Sequence, residues 1–351
     1  MRKGFRKETV LKLLVTGGAG FIGSNFIRHL LTAQSGTEIV NFDQLTYAGN
    51  PESLSDFADD PRYSFVRGDI ADPEQVASIF AAGFDGVVNF AAETHVDRSI
   101  ENASPFLHTN VAGVMCLLEA ARKFRLPRFV HISTDEVYGS APAGVSFSEQ
   151  ALLDPRSPYA ASKASADHFV AAYANTYGVS AIILRCTNNY GPFQFPEKLI
   201  PLMVANAQDD KSLPIYGDGL QERDWLFVED YCRAIAVALA KGRPGEVYNV
   251  SAGRPLPNLQ VVRTILKHLS KPESLMKYVT DRPGHDRRYA LDSSKIQREL
   301  GWKALIPFEE GIGRTIDWYR ANARWLERAR SGEYRKYYER HYTNRAETFS
   351  R

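Results

Sequence analysis

The chain has 351 residues, of which 44% are hydrophobic and 24% are charged. A chain of this length is too long for one small core and fits a protein of two lobes or domains. The 43 basic and 41 acidic residues leave a net charge of +2, so the charge balance gives no reason to expect a nucleic acid or a membrane as partner.

The cysteines and the N-terminus indicate a cytoplasmic protein. Cys116, Cys186 and Cys232 are far apart and lack CxxC spacing, which argues against a disulfide framework or a zinc site. Residues 1–10 are basic, and the apolar run after them is too short for a signal peptide, so we expect a short disordered lead. No window approaches the roughly 18 to 20 apolar residues that cross a bilayer.

Short apolar runs alternate with helical patterns through the first half of the chain. This alternation predicts an α/β fold with a Rossmann-like, doubly wound parallel sheet covered by helices on both faces. The predicted strands span residues 11–16, 38–42, 64–67, 86–90, 129–133 and 181–185. The predicted helices include residues 21–33, 73–81 and 110–123.

The alternation ends near Arg185, and Asn188-Asn189-Tyr190-Gly191-Pro192 marks a break. We therefore predict a Rossmann domain over residues 1–187 and a smaller C-terminal substrate-binding lobe over residues 188–351. A segment of about residues 222–251 is expected to return to the Rossmann domain, and its strand at 246–250 is expected to join the main sheet. Beyond Trp318 the chain is rich in Arg and aromatic residues, but interrupting glutamates favour a solvated helix face over a nucleic-acid patch.

The first strand runs into a glycine-rich turn, Gly17-Gly18-Ala19-Gly20-Phe21-Ile22-Gly23, which opens a helix. Glycines allow a tight turn and let a pyrophosphate sit against the helix N-terminus. Asp43 ends the second strand, where its carboxylate can bind both ribose hydroxyls and would repel a 2′-phosphate. The pattern predicts NAD in preference to NADP; the alternative is a structural turn followed by an N-capping Asp43.

Further cofactor contacts are predicted at the ends of the third and fourth strands. Asp69 and Ile70 follow the third strand, where the adenine would lie, and Phe90-Ala91-Ala92 ends the fourth, where small residues permit close approach. The predicted cofactor set is Gly17, Gly20, Phe21, Ile22, Gly23, Asp43, Gln44, Leu45, Thr46, Asp69, Ile70, Phe90, Ala91, Ala92, Thr109, Tyr159 and Lys163.

Tyr159 and Lys163 form a Tyr-x-x-x-Lys pair, one helical turn apart and therefore on one face. A phenol with a pKa of about 10 is a poor base at neutral pH, and a neighbouring ammonium is expected to lower that pKa. Such a pair can take a proton from a hydroxyl while hydride leaves the same carbon. Alone the spacing indicates only a surface contact, but after a dinucleotide-binding turn it indicates redox chemistry.

Thr134-Asp135-Glu136 directly follows the fifth strand, whose carboxyl end faces the ligand crevice of such a sheet. Thr134 can hydrogen-bond the reacting hydroxyl. Oxidation of an alcohol does not need two adjacent carboxyl groups, whereas elimination of water needs a base for a carbon-bound proton and an acid for the departing hydroxyl. These three residues with Tyr159 and Lys163 are the predicted catalytic set; the alternative is that one carboxyl caps a helix or is solvated.

Further motifs extend this pattern along the chain. They are Thr46-Tyr47-Ala48-Gly49-Asn50, His95-Val96-Asp97-Arg98-Ser99, Tyr159-Ala160-Ala161-Ser162-Lys163, Pro196-Glu197-Lys198-Leu199, Arg223-Asp224-Trp225 and Asp281-Arg282-Pro283-Gly284-His285. With them the sequence resembles the dTDP-glucose 4,6-dehydratases of the extended short-chain dehydrogenase/reductase superfamily, from residue 14 to about residue 342. Thr94 and Thr187 depart from the serines more common in that family, and the loop 139–158 is shorter than in some members.

The resemblance implies a mechanism. Tyr159 deprotonates the C4 hydroxyl as hydride passes to NAD, Glu136 removes the C5 proton, Asp135 protonates the departing C6 hydroxyl, and hydride returns to C6. NAD is regenerated and is expected to stay tightly bound. The resemblance also implies a nucleotide-diphosphate sugar as substrate, held by Thr94, Thr134, Asn188, Lys198, Leu199, Pro214, Tyr216, Arg223, Asn258, Asp281 and His285.

Two helices, at residues 110–121 and 160–173, are small or apolar almost all round, so each must be buried by the chain's own core or by a partner subunit. We expect a homodimer, with internal helices as the alternative. His95, His131 and His285 do not converge by spacing, so no metal is expected.

Rival functions share parts of this pattern. A nucleotide-sugar 4-epimerase or a nucleotide-glucuronate decarboxylase would share the glycine turn and the Tyr–Lys pair, but neither needs the adjacent Asp–Glu. A non-catalytic NAD or nucleotide-sugar sensor is a rival of another class, which a fold alone does not exclude.

Overall fold

The computed structural model describes residues 10–33 and 36–331. The predicted disordered lead therefore lies, but for its last residue, outside the described residues, as does the C-terminal stretch beyond residue 331. No helix in the described ranges is long and apolar enough to cross a membrane.

Seven parallel strands form the main sheet. They are β1 Leu11–Thr16, β2 Thr37–Asp43, β3 Tyr63–Arg67, β4 Gly86–Asn89, β5 Phe129–Thr134, β6 Ala181–Cys186 and β10 Val247–Val250. Their order is β10-β6-β5-β4-β1-β2-β3, so β1 has β2 on one side and β4 on the other. The predicted α/β doubly wound sheet is confirmed, and the winding reverses between β1 and β4, where such sheets bind ligands.

Strand β1 shows why these apolar runs form a sheet that is buried on both faces. Leu13, Leu14 and Val15 are all fully buried. Leu13 and Val15 pack into one apolar cluster, whereas Leu14 packs into another. Because successive side chains of a strand point to opposite faces, an unbroken apolar run needs a layer of helices on each side.

Helices supply these two layers. One layer contains α1 Phe21–Ala33, α8 Val228–Lys241 and α10 Ser294–Leu300. The other contains α2 Pro73–Phe80, α5 Val114–Lys123 and α6 Pro158–Tyr177. Two short helices, α3 Val96–Glu101 and α4 Ser104–Phe106, precede α5 in the chain.

The predicted helix at residues 110–123 is wound unevenly. Residues Leu107–Gly113 form π-helical turns that continue directly into α5. A Cβ on Gly113 would lie 2.6 Å from Ile70, so the segment passes close to the end of β3. Single π-helical turns are frequent at functional sites because they redirect side chains, and this one carries Thr109 and Asn110.

The smaller lobe has its own apolar core. Its elements are β7 Asn188–Tyr190, α7 Leu199–Gln208, β8 Leu213–Tyr216, β9 Glu222–Phe227, β11 Pro255–Pro257, α9 Asn258–Leu269, β12 Met276–Val279, α11 Phe308–Ala321 and α12 Ala323–Ala329. Strands β11, β9 and β7 form one sheet, and β12 and β8 another.

The predicted strand at residues 246–250 joins the main sheet as β10, whereas β9, which lies in the same segment 222–251, does not. Strand β9 pairs with β7 and β11 instead. Only Thr187 separates β6 from β7, so the chain leaves the main sheet there, and β9 follows β7 into the smaller one. The division into domains of residues 1–187 and 188–351 stays a prediction.

Candidate active site

A crevice opens at the carboxyl ends of the central strands of the main sheet, and we call it the main crevice. Its lining contains every residue of the predicted cofactor set except Leu45, and all five predicted catalytic residues. The lining therefore brings together motifs that are more than 100 residues apart in the chain, from Gly17 to Lys163.

The glycine turn forms the floor of the main crevice because side chains do not fit there. Gly17 has a φ of +69°, and a Cβ on it would lie 2.4 Å from the backbone nitrogen of Ala91. A Cβ on Gly23 would lie 2.5 Å from the carbonyl oxygen of Gly17. The close packing leaves the N-terminus of α1 facing the crevice, which fits the pyrophosphate of a dinucleotide.

Asp43 is buried at the end of β2, where two backbone amides hold its carboxylate. The amide of Ala19 donates to Oδ2 at 2.9 Å, and the amide of Leu45 donates to Oδ1 at 2.8 Å. A carboxylate has about four acceptor sites, so each oxygen retains one for a ribose hydroxyl. Leu45 thus lies beside the crevice, and its backbone amide helps to hold the Asp43 carboxylate. Its φ is +58°.

The far end of the main crevice fits an adenosine. Asp69 accepts hydrogen bonds from the amide of Ala71 at 2.8 Å and from Gln44 Nε2 at 3.0 Å. Ile70 and Thr109 line the same end. The residues present therefore fit NAD along the whole crevice.

The turn Asp135–Tyr138 continues directly from β5, and Thr134 caps its beginning. The Thr134 hydroxyl accepts a hydrogen bond from the Glu136 amide at 3.2 Å and donates one to Asp135 Oδ1 at 3.2 Å. On the facing helix α6, Ser157 caps the first turn by accepting from the amide of Ala160 at 3.1 Å. These two capped turns bring the carboxyl pair and Tyr159 to the same crevice.

Different environments act on the two adjacent carboxyl groups. Burial, and then the negative charge of Glu136, raise the pKa of Asp135 well above its ordinary value. Burial also raises the pKa of Glu136, but three cations oppose that rise, namely Arg282, Arg223 and Lys198. Asp135 is therefore the group that holds a proton, and Glu136 is the one that more readily ionises.

The Tyr–Lys spacing predicts a lowered pKa for Tyr159, whereas its surroundings in the structure raise it. Burial, followed by the charge of Glu136, raises the pKa of Tyr159 well above its ordinary value. Lys163 donates a hydrogen bond to the carbonyl oxygen of Ile132 at 2.6 Å, and burial lowers its pKa to about 8. The largest cause of this shift is the removal of the phenol from water, an effect that spacing along a helix does not report.

A side cavity adjoins the main crevice, and Glu136, Asn188 and Lys198 line both. Most of the predicted substrate residues line the side cavity: Leu199, Pro214, Tyr216, Arg223, Asn258 and His285. Thr94 and Thr134 line the main crevice instead. Asp281 lies behind the lining, where its Oδ1 contacts His285 Nδ1 at 2.6 Å.

Several lining residues were not in the predicted site. Arg282 and Tyr289 line the side cavity, and Glu197 lines both the side cavity and the main crevice. Arg282 and Glu197 belong to motifs that the sequence displays, so their charge was the signal that could have identified them. Tyr289 follows the last of those motifs by four residues, and only the fold brings its hydroxyl to 3.5 Å from Glu136.

Histidines serve other purposes here. His95 caps α3, and His131 is fully buried beside Asn89. Among residues 10–33 and 36–331, no group of three or more His, Cys, Asp or Glu side chains is placed to hold a metal ion.

The sheet order, the glycine turn and the Tyr–Lys pair over one crevice define an extended short-chain dehydrogenase/reductase with a dinucleotide site. The family model described as GDP-mannose 4,6 dehydratase matches residues 14–315. The chain belongs to this dehydratase family.

Individual relatives agree with this membership. The chain is 49% identical to the dTDP-glucose 4,6-dehydratase of Streptomyces niveus over 92% of this chain and 96% of that one. The solved structure of the dTDP-glucose 4,6-dehydratase DesIV from Streptomyces venezuelae, with NAD and TYD bound, is 49% identical, with a TM-score of 0.88 over 91% of this chain and 100% of that one. The UDP-glucose 4-epimerase of Thermus thermophilus, in complex with NAD, is 32% identical, with a TM-score of 0.82 over 89% of this chain and 100% of that one.

Proposed function

We propose that the chain is an NAD-dependent dTDP-glucose 4,6-dehydratase, which converts dTDP-glucose to dTDP-4-keto-6-deoxyglucose and water. The observation that carries this proposal is the adjacent carboxyl pair of Asp135, which is buried, and Glu136, which is half-buried, in the same crevice as Tyr159. Epimerisation needs one acid–base group at C4, whereas elimination needs an acid and a base in addition. The similarity to the dTDP-glucose 4,6-dehydratases of Streptomyces niveus and Streptomyces venezuelae supports the same choice.

The oxidation at C4 is assigned to helix α6. NAD, held by the predicted cofactor set, supplies the hydride acceptor and is restored within one cycle. Tyr159 must be in its phenolate form to take the proton of the C4 hydroxyl, and Thr134 hydrogen-bonds the same oxygen. Because the pKa of Lys163 is about 8, its ammonium stays mostly charged at neutral pH and favours the phenolate that forms.

The elimination is assigned to the turn after β5. The 4-ketone acidifies the C5 proton, and Glu136 removes it as a carboxylate. The electron pair forms the C5–C6 double bond while the C6 hydroxyl leaves with a proton from Asp135, as water. Glu136 then returns its proton to C5, and the reduced nicotinamide would supply the hydride that C6 accepts.

The side cavity is assigned to the nucleotide and diphosphate. Arg223 lies over the ring of Tyr289 at 4.0 Å and donates to the carbonyl oxygen of Asp286 at 2.9 Å. Lys198 donates to the carbonyl oxygen of Thr94 at 2.8 Å, and it lines both the main crevice and the side cavity. Both cations are suited to phosphate oxygens.

A homodimer in the cytoplasm completes the proposal. Leu107, next to α5, is 65% exposed, and Ala161 and His168 are exposed on the adjacent helix α6. A second copy would cover this face through a four-helix bundle. The three cysteines are free thiols, as expected in a reducing compartment.

The decisive experiment incubates the purified protein with dTDP-glucose and no added NAD, and identifies the product by NMR. A 4-keto-6-deoxy sugar supports the proposal. Formation of the galactose isomer would instead show an epimerase, and binding without any product would show a sensor. The Glu136→Gln variant is the matched control, because it should bind the sugar but release no product.

A further inference from the structure

A buried arginine connects the two halves of the catalytic machinery. Arg185 lies on β6, where the strand register places it between Ser133 of β5 and Asn249 of β10. Its guanidinium donates from Nε to Asp167 Oδ2 at 2.8 Å and from Nη1 to the Tyr138 hydroxyl at 2.7 Å. Only 6% of Arg185 is exposed, so both hydrogen bonds are shielded from water.

The two partners of Arg185 belong to different catalytic segments. Asp167 lies one helical turn after Lys163 on α6, and it is 1% exposed. Tyr138 ends the turn that begins with Asp135. Its hydroxyl also donates to Asn249 Oδ1 at 2.9 Å, which anchors the end of that turn to the sheet.

We propose that Arg185 is a positioning residue that holds the elimination turn, Asp135–Tyr138, in register with helix α6. This inference rests on the proposed dehydratase function. One bound sugar must present C4 to Tyr159 and C5 and C6 to Glu136 and Asp135, so the distance between the two segments matters in every cycle. A displacement of about 1 Å in such an arrangement can cost on the order of 100-fold in rate.

The chemistry of the side chain supports this role. A buried charge pair is expensive to desolvate, and apolar residues of similar size often stabilise a core at least as much as the pair does. A guanidinium, however, presents its donors in a rigid fork and can bind two partners at a fixed angle, which the single ammonium of lysine does not reproduce. The fork of Arg185 binds one partner from each segment.

The variant Tyr138→Phe tests the proposal because it removes only the hydroxyl and retains the ring, which stacks on Phe147 at 5.5 Å. Tyr248→Phe is the matched control. Tyr248 is also fully buried, but its hydroxyl accepts from the amide of Arg243 at 3.2 Å and donates to Glu299 at 3.1 Å. Arg185→Lys is a second variant that keeps the charge and loses the fork.

Single-turnover experiments with dTDP-glucose would follow C4 oxidation by the absorbance of reduced nicotinamide, and elimination by deuterium uptake at C5 and by product. Tyr138→Phe and Arg185→Lys should oxidise C4 within about twofold of the parent rate, whereas elimination should slow on the order of 10- to 100-fold. Tyr248→Phe should change neither rate.

A general loss of stability would slow both steps together, so equal slowing of the two steps, or none, in Tyr138→Phe would overturn the positioning role. A parent protein that forms neither reduced nicotinamide nor product would contradict the proposed function itself, and the positioning role with it. The two failures are therefore distinguishable.

Discussion

Replacing Asp135 with asparagine should remove the acid and leave the base in place. Asp135 is 4% exposed, and its Oδ1 accepts from the Thr134 hydroxyl at 3.2 Å. Its Oδ2 is buried without a hydrogen-bond partner in the described part of the chain. A protonated oxygen in that position is free to donate to a bound substrate, and an amide is a far weaker acid.

The expected loss follows from what a general acid contributes. Such groups supply about 10²- to 10⁴-fold, so elimination from dTDP-glucose should slow by that factor in Asp135→Asn. Oxidation at C4 should change much less, because Tyr159 and Lys163 carry it from helix α6. A substrate with fluorine at C6 needs little protonation to lose its leaving group, so the variant should recover most of its rate.

The same substitution should stabilise the fold at neutral pH. The raised pKa of Asp135 means that, above the ordinary value of 3.8, the folded chain holds a proton that the unfolded chain has lost. Stability therefore falls as the pH rises from 3.8 toward the folded pKa, by about 1.4 kcal/mol for each pH unit. Asparagine does not titrate, so the free energy of unfolding of the variant, relative to that of the parent, should increase over that pH range.

The assay compares both substrates in Asp135→Asn and in Glu136→Gln, with urea unfolding measured at several pH values. Glu136→Gln is the matched control, since fluorine at C6 cannot replace a missing base at C5. If Asp135→Asn is equally slow with both leaving groups, Asp135 is not the acid. A variant that is no more stable than the parent at neutral pH would show that the carboxyl is not held protonated by burial.

Three further predictions concern the base, the cofactor and the assembly. Glu136→Gln should accumulate reduced nicotinamide with dTDP-glucose, because C4 is oxidised and C5 keeps its proton; normal turnover would contradict the assignment. Protein stripped of cofactor should recover activity with NAD and much less with NADP, since the Asp43 carboxylate repels a 2′-phosphate; equal recovery would show that Asp43 does not touch the ribose. Light scattering at micromolar concentration should give the mass of two chains, and the mass of one chain would contradict the dimer.

The main sheet was predictable because its strands are short, mainly apolar runs that alternate with helical patterns. Each of the six strands predicted in the first half, and β10, lies within one residue of the observed bounds. Strand β9 was not predicted, because Arg223 and Asp224 interrupt its apolar pattern although both are buried. The π-helical turns before α5 were not predictable either, because they depend on the close contact of Gly113 with Ile70.

The candidate site was predictable in composition but not in electrostatics. Motif spacing identified Tyr159, Lys163 and the carboxyl pair, since each motif is local in sequence. The direction of the pKa shift of Tyr159 depends on burial, which needs the whole fold. The cation Arg282 and the hydroxyl of Tyr289 come to Glu136 from the opposite lobe, and no pattern near Glu136 indicates them.

The fold alone does not determine which reaction this site performs. An epimerase with a TM-score of 0.82 to this chain shares the fold, so our assignment depends on side chains, those at the carboxyl end of β5 above all, and not on the sheet. Asp135 and Glu136 are neighbours in one short turn, yet cations from the second lobe act mainly on Glu136. We therefore propose that dehydratase chemistry needs the smaller lobe as well as the sheet, because Arg282, Arg223 and Lys198 favour the charged form of Glu136.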